Sequence, residues 1–456
     1  MFPIGRLLHT PEAVPAAPLA ALQDLLSDAE IEALCRQLGH RWRRRRLPPA
    51  ATVRSLLYRS LSPDRSIRAV LADLAAAGAL VPDPLEPDAP SDAAWCQARD
   101  RLPQRLWDEL LRRSAQRLDR LAGPDHRLRG RPLYIADGST FSMPDTPDLV
   151  AAFGYAPTKH GPSRFPVARL TLLVHAGVQA VAAYALGDYR EAEDAQFHRL
   201  WDRLPDGCIC LLDRHFASFY NLAKLAQRGI GVITRLHQRR NAQRLIRQGR
   251  RLGPDEWLVP LDLAPQLRRR YDDPSLPQRL WVRLIRVTFL RGHRRHTLWL
   301  VTTLMDRRRF PAALIADLYR RRWEIETRLA DLKTTLAMNV LRSRTAAGIR
   351  GEVVATLLAA NLLWTVMHQA ARAAGLPADR LSFVGAARTV LAFSAALRTA
   401  SPARRPAVYA AMLRHVARRP NRRRPGRVEP RLLKREPVRF AYLRISRAKA
   451  RQQCLS

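Results

Sequence analysis

Acid is what this sequence is short of. Against 78 Lys and Arg residues stand 40 Asp and Glu, so the formal net charge is +38. A field of that sign and size favours a polyanion, nucleic acid above all. Cysteine is scarce as well. Cys35, Cys96, Cys208, Cys210 and Cys454 make an odd number, and only Cys208 and Cys210 lie close together. That excludes a disulfide scaffold, and two thiols do not make a zinc site. Reduced, buried thiols in a cytoplasmic chain, near the nucleoid when bound to DNA, are the expectation. Long apolar runs are missing too. The longest, Val353 to Met367, is broken by Asn361 and is too short to span a bilayer. It is expected to be a buried core helix, with no membrane partner. The start has no run with the length and flanks of a signal peptide.

What is present is 456 residues that are 47% hydrophobic, enough for two to four domains. Residues 1–125 are expected to be a DNA-binding region, and a helical one, since apolar residues recur there at three-and-four spacing. Ser27 with Glu30 matches a capping box. The basic run His40 to Arg46 reads equally as a solvated loop or a phosphate-contacting arm. After a Gly-containing linker the pattern changes to short strands alternating with helices, an α/β core over 130–237. A β-rich subdomain is expected over 238–306. The core resumes over 307–375, where the spacing predicts a single helix from Pro311 to about Leu336. A basic helical region, 376–456, closes the chain, with 17 Lys or Arg against two acids from Ser401 onward.

The stretch LYRRRWEIETRLADLKTTL carries the chemistry. At 3.6 residues per turn, Tyr319, Arg322, Glu326 and Lys333 project within about 60° of one another, beside an apolar stripe. One acid flanked by two bases and a phenol suits a site that holds both metal and phosphate. Taken alone, the pattern is also that of an amphipathic helix with surface ion pairs. Upstream, Asp137 and Asp213 each end a predicted strand, where side chains of neighbouring strands converge. "DGST" could suggest an aspartic protease, but no second matching element is present.

Tyr319-x2-Arg322-x3-Glu326-x6-Lys333 resembles the signature of the insertion-sequence-four type of DDE transposases. YIADGSTFSMPDTP resembles that family's first-Asp region, LLDRHFASF its second, and FPVARLTLL, AWCQARDRL and RRRLPPAATVRSLLYRSL also look familial. The resemblance implies an RNase H-like catalytic core interrupted by a β-rich insertion subdomain, with helical N- and C-terminal regions. It implies that Asp137, Asp213 and Glu326 are catalytic and bind Mg2+, with Mn2+ able to substitute. Tyr319, Arg322 and Lys333 would bind DNA near the scissile bond. Partners would be double-stranded DNA with terminal inverted repeats, target DNA and a second copy of the chain. In-line displacement at phosphorus fits such a site, since two cations about 3.5–4 Å apart can stabilise the attacking and leaving oxygens. Magnesium takes hard oxygen ligands, so a few carboxylates suffice. Trp257, Trp281, Trp299 and Trp323 are candidates to stack on an unpaired base. A DNA nuclease without strand transfer, or a non-catalytic DNA-binding protein derived from a transposase, are the alternatives.

Overall fold

A computed structural model describes residues 27–42, 47–62, 64–76, 90–124, 126–158, 161–291, 294–339, 341–420 and 452. Among the described residues, five helices come first: α1 (Asp28–Gln37), α2 (Pro49–Leu61), α3 (Ile67–Ala76), α4 (Asp92–Asp100) and α5 (Gln104–Ala122). Ser27 caps α1 as expected, its hydroxyl accepting from the Glu30 amide at 3.2 Å. The reciprocal half of the box is not made, because the Glu30 carboxylate pairs with Arg113 and Arg117 on α5. Within the run His40 to Arg46, His40 and Trp42 stack at 5.9 Å. Residues 43–46 lie outside the described ones, as do 421–451.

The α/β core follows in the order β1 (Leu133–Ser142), α6 (Pro147–Phe153), β2 (Tyr155–Thr158), β3 (Gly161–His175), β4 (Ala180–Asp188), α7 (Glu193–His198), β5 (Ile209–Leu212), α8 (Phe219–Gln227) and β6 (Gly231–Arg235). Each predicted strand of 130–237 is present. β1, β5 and β6 are parallel neighbours, while β3 runs antiparallel to β1 and β4 to β3. The central strand β5 is buried throughout and β6 nearly so, as sheets covered on both faces must be.

Next come α9 (Ala242–Arg247), β7 (Arg250–Gly253), β8 (Glu256–Asp262), α10 (Pro265–Tyr271), β9 (Arg279–Arg291) and β10 (Arg294–Thr302). This segment is β-rich as expected, and its strands continue the central sheet. β10 pairs antiparallel with β6, giving the order β2-β3-β1-β5-β6-β10-β9-β8-β7, with β4 on the free side of β3. A buried ion pair fastens it: the fully buried Arg283 on β9 donates to Glu256 Oε1 at 2.6 Å and to the carbonyls of Leu304 and Phe310.

The predicted single helix after Pro311 is three consecutive pieces: α11 (Ala312–Arg321), α12 (Trp323–Ala330) and a π-helical turn (Asp331–Thr335). At the break, Arg322 N–H donates to Tyr319 O and Ile325 N–H to Arg322 O, three residues back. In the π turn, Leu336 N–H reaches Asp331 O, five residues back. These departures from the i−4 ladder are invisible to a wheel that assumes a constant pitch.

α13 (Ala346–Ala374), α14 (Phe383–Thr399) and α15 (Arg405–Ala417) complete the described chain. α13 contains the apolar run, and it is the centre of the helical layer. It packs on α2, α4, α5, β4, α14 and α15. It is long and apolar enough to cross a membrane, but 89% of its most apolar window is buried inside the protein. Asn361, the polar interruption, is fully buried and explains itself. Its amide oxygen accepts from Val181 N–H, and its nitrogen donates to Val181 O and to Ser114 Oγ. One side chain thus ties α13 to both β4 and α5. Among the described cysteines, Cys35, Cys208 and Cys210 are buried, and none forms a disulfide.

Candidate active site

The parallel pairing of β1 with β5 ends at Ala136 opposite Leu212. Asp137 and Asp213 are the next residue on each strand, so they leave the ladder side by side, about 4.8 Å apart in the pairing direction. Asp213 enters a 3-10 turn, Arg214–Phe216, and its carbonyl accepts from the Thr234 hydroxyl at 3.1 Å. Asp137 does not end its strand as expected. β1 runs on to Ser142 because β3 still pairs with it, Asp137 opposite Leu172. What ends at Asp137 is the parallel pairing, which opens the gap between β1 and β5.

α12 packs against β1, and Arg322 stands between the carboxylates. Its Nη1 is 3.7 Å from Asp137 Oδ2 and its Nη2 donates to Glu326 Oε1 at 3.1 Å. Asp137 and Glu326 therefore meet across one guanidinium. Asp137 is largely buried, while 57% of the Glu326 side chain faces solvent. Burial pushes the Asp137 carboxyl above the usual range. The Gly138 amide and Arg322 pull it down, and Asp213 and Glu326 push it up again. Arg322 is held above its ordinary value despite burial, chiefly by Tyr319 and then by Asp213 and Asp137. Opposed carboxylates with one cation among them form a donor set of hard oxygens that is short of positive charge, which fits a divalent metal.

The three basic or phenolic residues of the predicted DNA-binding set are less open than the wheel implied. Tyr319 is 4% exposed and Arg322 is 8% exposed. Burial pushes the Tyr319 hydroxyl up to about 12. Lys333, carried on the π turn, is half-buried, its ammonium 5.1 Å from the centre of the Phe141 ring. Phe141 is four residues beyond Asp137 and so on the same face of β1. Arg322 thus borders Asp137, and Tyr319 lies by Arg322 and Asp213, whereas Lys333 sits further along the same face of β1, at Phe141.

A fourth carboxylate belongs to this place, and the sequence reading missed it. Glu193 opens α7. Burial raises its carboxyl first, then Asp137; Arg169 and His215 lower it, and Asp213 raises it further. Its Oε1 occupies the space a side chain would need at position 138, only 2.0 Å from an ideal Cβ there. A side chain at 138 would therefore have to displace the Glu193 carboxylate. Gln196, one turn on and fully buried, fixes α7 by accepting from Thr171 Oγ1 and donating to Arg169 O. Glu193 and Asp194 fall in the first turn of α7, where acids are favoured for local reasons, so no local signal in the sequence singles out Glu193.

Of the tryptophans, Trp257 and Trp299 touch each other at 5.7 Å, and Arg286 lies over Trp257. Trp281 is 44% exposed. The Trp323 side chain lies outside the described ones.

A model of the family described as the transposase DDE domain matches residues 128–362. The chain is 28% identical over 429 residues to the transposase InsG for insertion sequence element IS4 of Escherichia coli strain K12, covering 93% of each. It is 32% identical over 142 residues to the putative transposase InsZ of the same organism, 30% of this chain and 46% of that one. Among solved structures it is similar to the cryo-EM structure of the piggyBac transposase synaptic complex with hairpin DNA. That similarity has a TM-score of 0.45 and 12% identity, covering 92% of this chain and 88% of the other.

Proposed function

The chain belongs to the family of transposases with a DDE domain, of the insertion-sequence-four type, and we propose that it hydrolyses DNA at transposon ends and transfers the freed 3′-hydroxyls to target DNA. The observation that carries this reading is the placement of Asp137 and Asp213 side by side where two parallel strands part, with Glu326 across a shared guanidinium. Carboxylates on adjacent parallel strands and one on a packed helix are what an RNase H-like core offers. The order β4-β3-β1-β5-β6, with only β1, β5 and β6 parallel, supports that assignment.

Asp137, Asp213 and Glu326 would hold magnesium, or manganese in its place; when bound, the ions would activate the attacking oxygen and stabilise the leaving one. The chain's own residues do the rest. The Gly138 amide, at 2.8 Å from Asp137 Oδ1, holds that carboxylate in one rotamer. Arg322 keeps the Asp137 and Glu326 carboxylates facing each other in the free protein. Lys333 and Tyr319 would position the scissile phosphate, and Arg322 would join them once its acids are neutralised by metal. Glu193 would complete the acidic wall behind Asp137. The partners proposed are terminal-repeat DNA, target DNA and a second copy of the chain, in the cytoplasm.

The test uses purified protein, a labelled end fragment and a target plasmid. Asp137→Asn, Asp213→Asn and Glu326→Ala should each fold, bind the fragment and lose cleavage and strand transfer in magnesium. Relieving like-charge repulsion should leave stability unchanged or slightly improved. Near wild-type cleavage by Asp213→Asn or Glu326→Ala would overturn the site. Cleavage without joined products would favour a nuclease, and end binding with neither activity in the wild type would favour a non-catalytic DNA-binding protein.

A further inference from the structure

Among the described residues, one other cluster has the spacing of a metal site, and it lies outside the catalytic carboxylates. Asp119 is near the end of α5, His126 is in the linker to β1, and His175 ends β3. Each offers one ligand atom, and these atoms all lie within 4.8 Å of one another. Asp119 Oδ1 is the shared point: it is 2.7 Å from His126 Nε2 and 3.8 Å from His175 Nε2. The two imidazole rings stand at 72° with centroids 5.1 Å apart. Two imidazoles on one tetrahedral ion would bring their centroids to about 5 Å.

A second observation points to a ligand. His175 is 3% exposed, yet neither ring nitrogen has a hydrogen-bond partner, and His126 Nδ1 has none. Buried polar atoms are nearly always satisfied, so a wholly unpartnered imidazole aimed at a carboxylate and another imidazole needs an explanation. The surroundings are built to hold the cluster. Tyr134 packs edge-on against His175 at 4.8 Å. Arg127 takes the other Asp119 oxygen at 3.1 Å, leaving Oδ1 to the imidazoles; a second partner on a ligating carboxylate is the usual arrangement around metals. Gly177 has no side chain to obstruct His126, whose carbonyl and Cδ2 would each lie 2.7 Å from a Cβ there.

We propose that Asp119, His126 and His175 bind one divalent transition ion of the zinc class, which fastens the last turn of α5 to the linker and to the end of β3. Two neutral imidazoles and a carboxylate suit zinc and disfavour magnesium, and water would fill a fourth position. The site is structural. His175 pairs with Tyr134 on β1, three residues from the Leu172–Asp137 pair, which places it roughly 10 Å along the strand from the catalytic edge. It would lock the helical region to the sheet whether or not the catalytic carboxylates are loaded.

The experiment is metal binding by the full chain, made metal-free by dialysis and titrated with zinc chloride, with cobalt(II) chloride as the spectroscopic probe. Asp213→Asn serves as background to weaken zinc uptake at the catalytic edge, and the His126→Asn comparison separates what remains there from the proposed site. Expected are about one zinc per chain, visible absorption typical of tetrahedral cobalt, and a rise in Tm with zinc that magnesium does not reproduce. His126→Asn should weaken zinc binding by ~100-fold or more and abolish the Tm rise. His175→Leu removes a buried group and could fail to fold; His126→Asn and Asp119→Asn then decide. Wild-type protein that takes up no zinc at micromolar concentration, or His126→Asn that binds it as tightly as wild type, would overturn the proposal.

Discussion

Gly138 and Glu193 show how tightly single residues are fitted around the acidic edge. A methyl group at 138 would collide with the end of the Glu193 side chain and not with backbone. Glu193 is therefore expected to swing away while the fold survives. If the carboxylate matters where it stands, Gly138→Ala should slow end cleavage by roughly a hundredfold, the usual effect of misplacing a catalytic group by an ångström or so. Glu193→Gln should have a similar effect, and the double variant should be little worse than either single one, since both changes act on one contact. Single-turnover cleavage rates measure this. A Gly138→Ala enzyme as fast as wild type would remove Glu193 from the site.

At the scale of elements, the signature helix is the instructive one. Its residue types were legible, because Tyr319, Arg322, Glu326 and Lys333 are a local pattern and Asp137 and Asp213 follow runs that can only be strands. Its shape was not. A constant pitch put four side chains on one open stripe, whereas the structure breaks the ladder at Arg322 and widens it at Asp331. No residue in the stretch is a helix breaker, so propensity gave no warning; its three pieces pack on different neighbours, α11 on β6, α12 on β1 and the π turn on α13 and α14. The consequence is testable at Lys333. It is carried on a π turn and rests on Phe141; in its proposed role of positioning the scissile phosphate, Lys333→Ala should slow cleavage without abolishing it, by about ten- to a hundredfold, while leaving folding and metal dependence intact. Equal wild-type and variant rates would mean that the ammonium serves only to cover Phe141. The β-rich segment teaches the same lesson. Its strands were readable one by one, but the pairing of β10 with β6, which joins the β-rich segment to the central sheet, has no local signature.

For the molecule as a whole, the governing quantity is charge. A chain of net charge +38 carries an acidic edge of four carboxylates, so its attraction for DNA must come from elsewhere on the surface. Binding to end fragments should fall steeply with salt, with a log–log slope near −0.9 for each phosphate neutralised. Removing residues from Ser401 onward should flatten that slope if the basic tail lies on DNA. Filter binding or fluorescence anisotropy across a salt series measures it, and a slope indifferent to the deletion would confine the DNA surface to the preceding residues.

α13 has one more consequence, for synthesis on the ribosome. The apolar faces of α2 and α5 close on a helix that begins only at Ala346, and Asn361 delivers the hydrogen bonds that Val181 and Ser114 await. Until that helix has left the exit tunnel, the amino-terminal helices have no lid for their core. An unfinished chain of three hundred residues would already display every strand of the sheet except the end of β10, and still be sticky and open to proteases. Completion of the fold therefore comes late and nearly all at once, so fragments released early should be cleared and only full-length protein should accumulate.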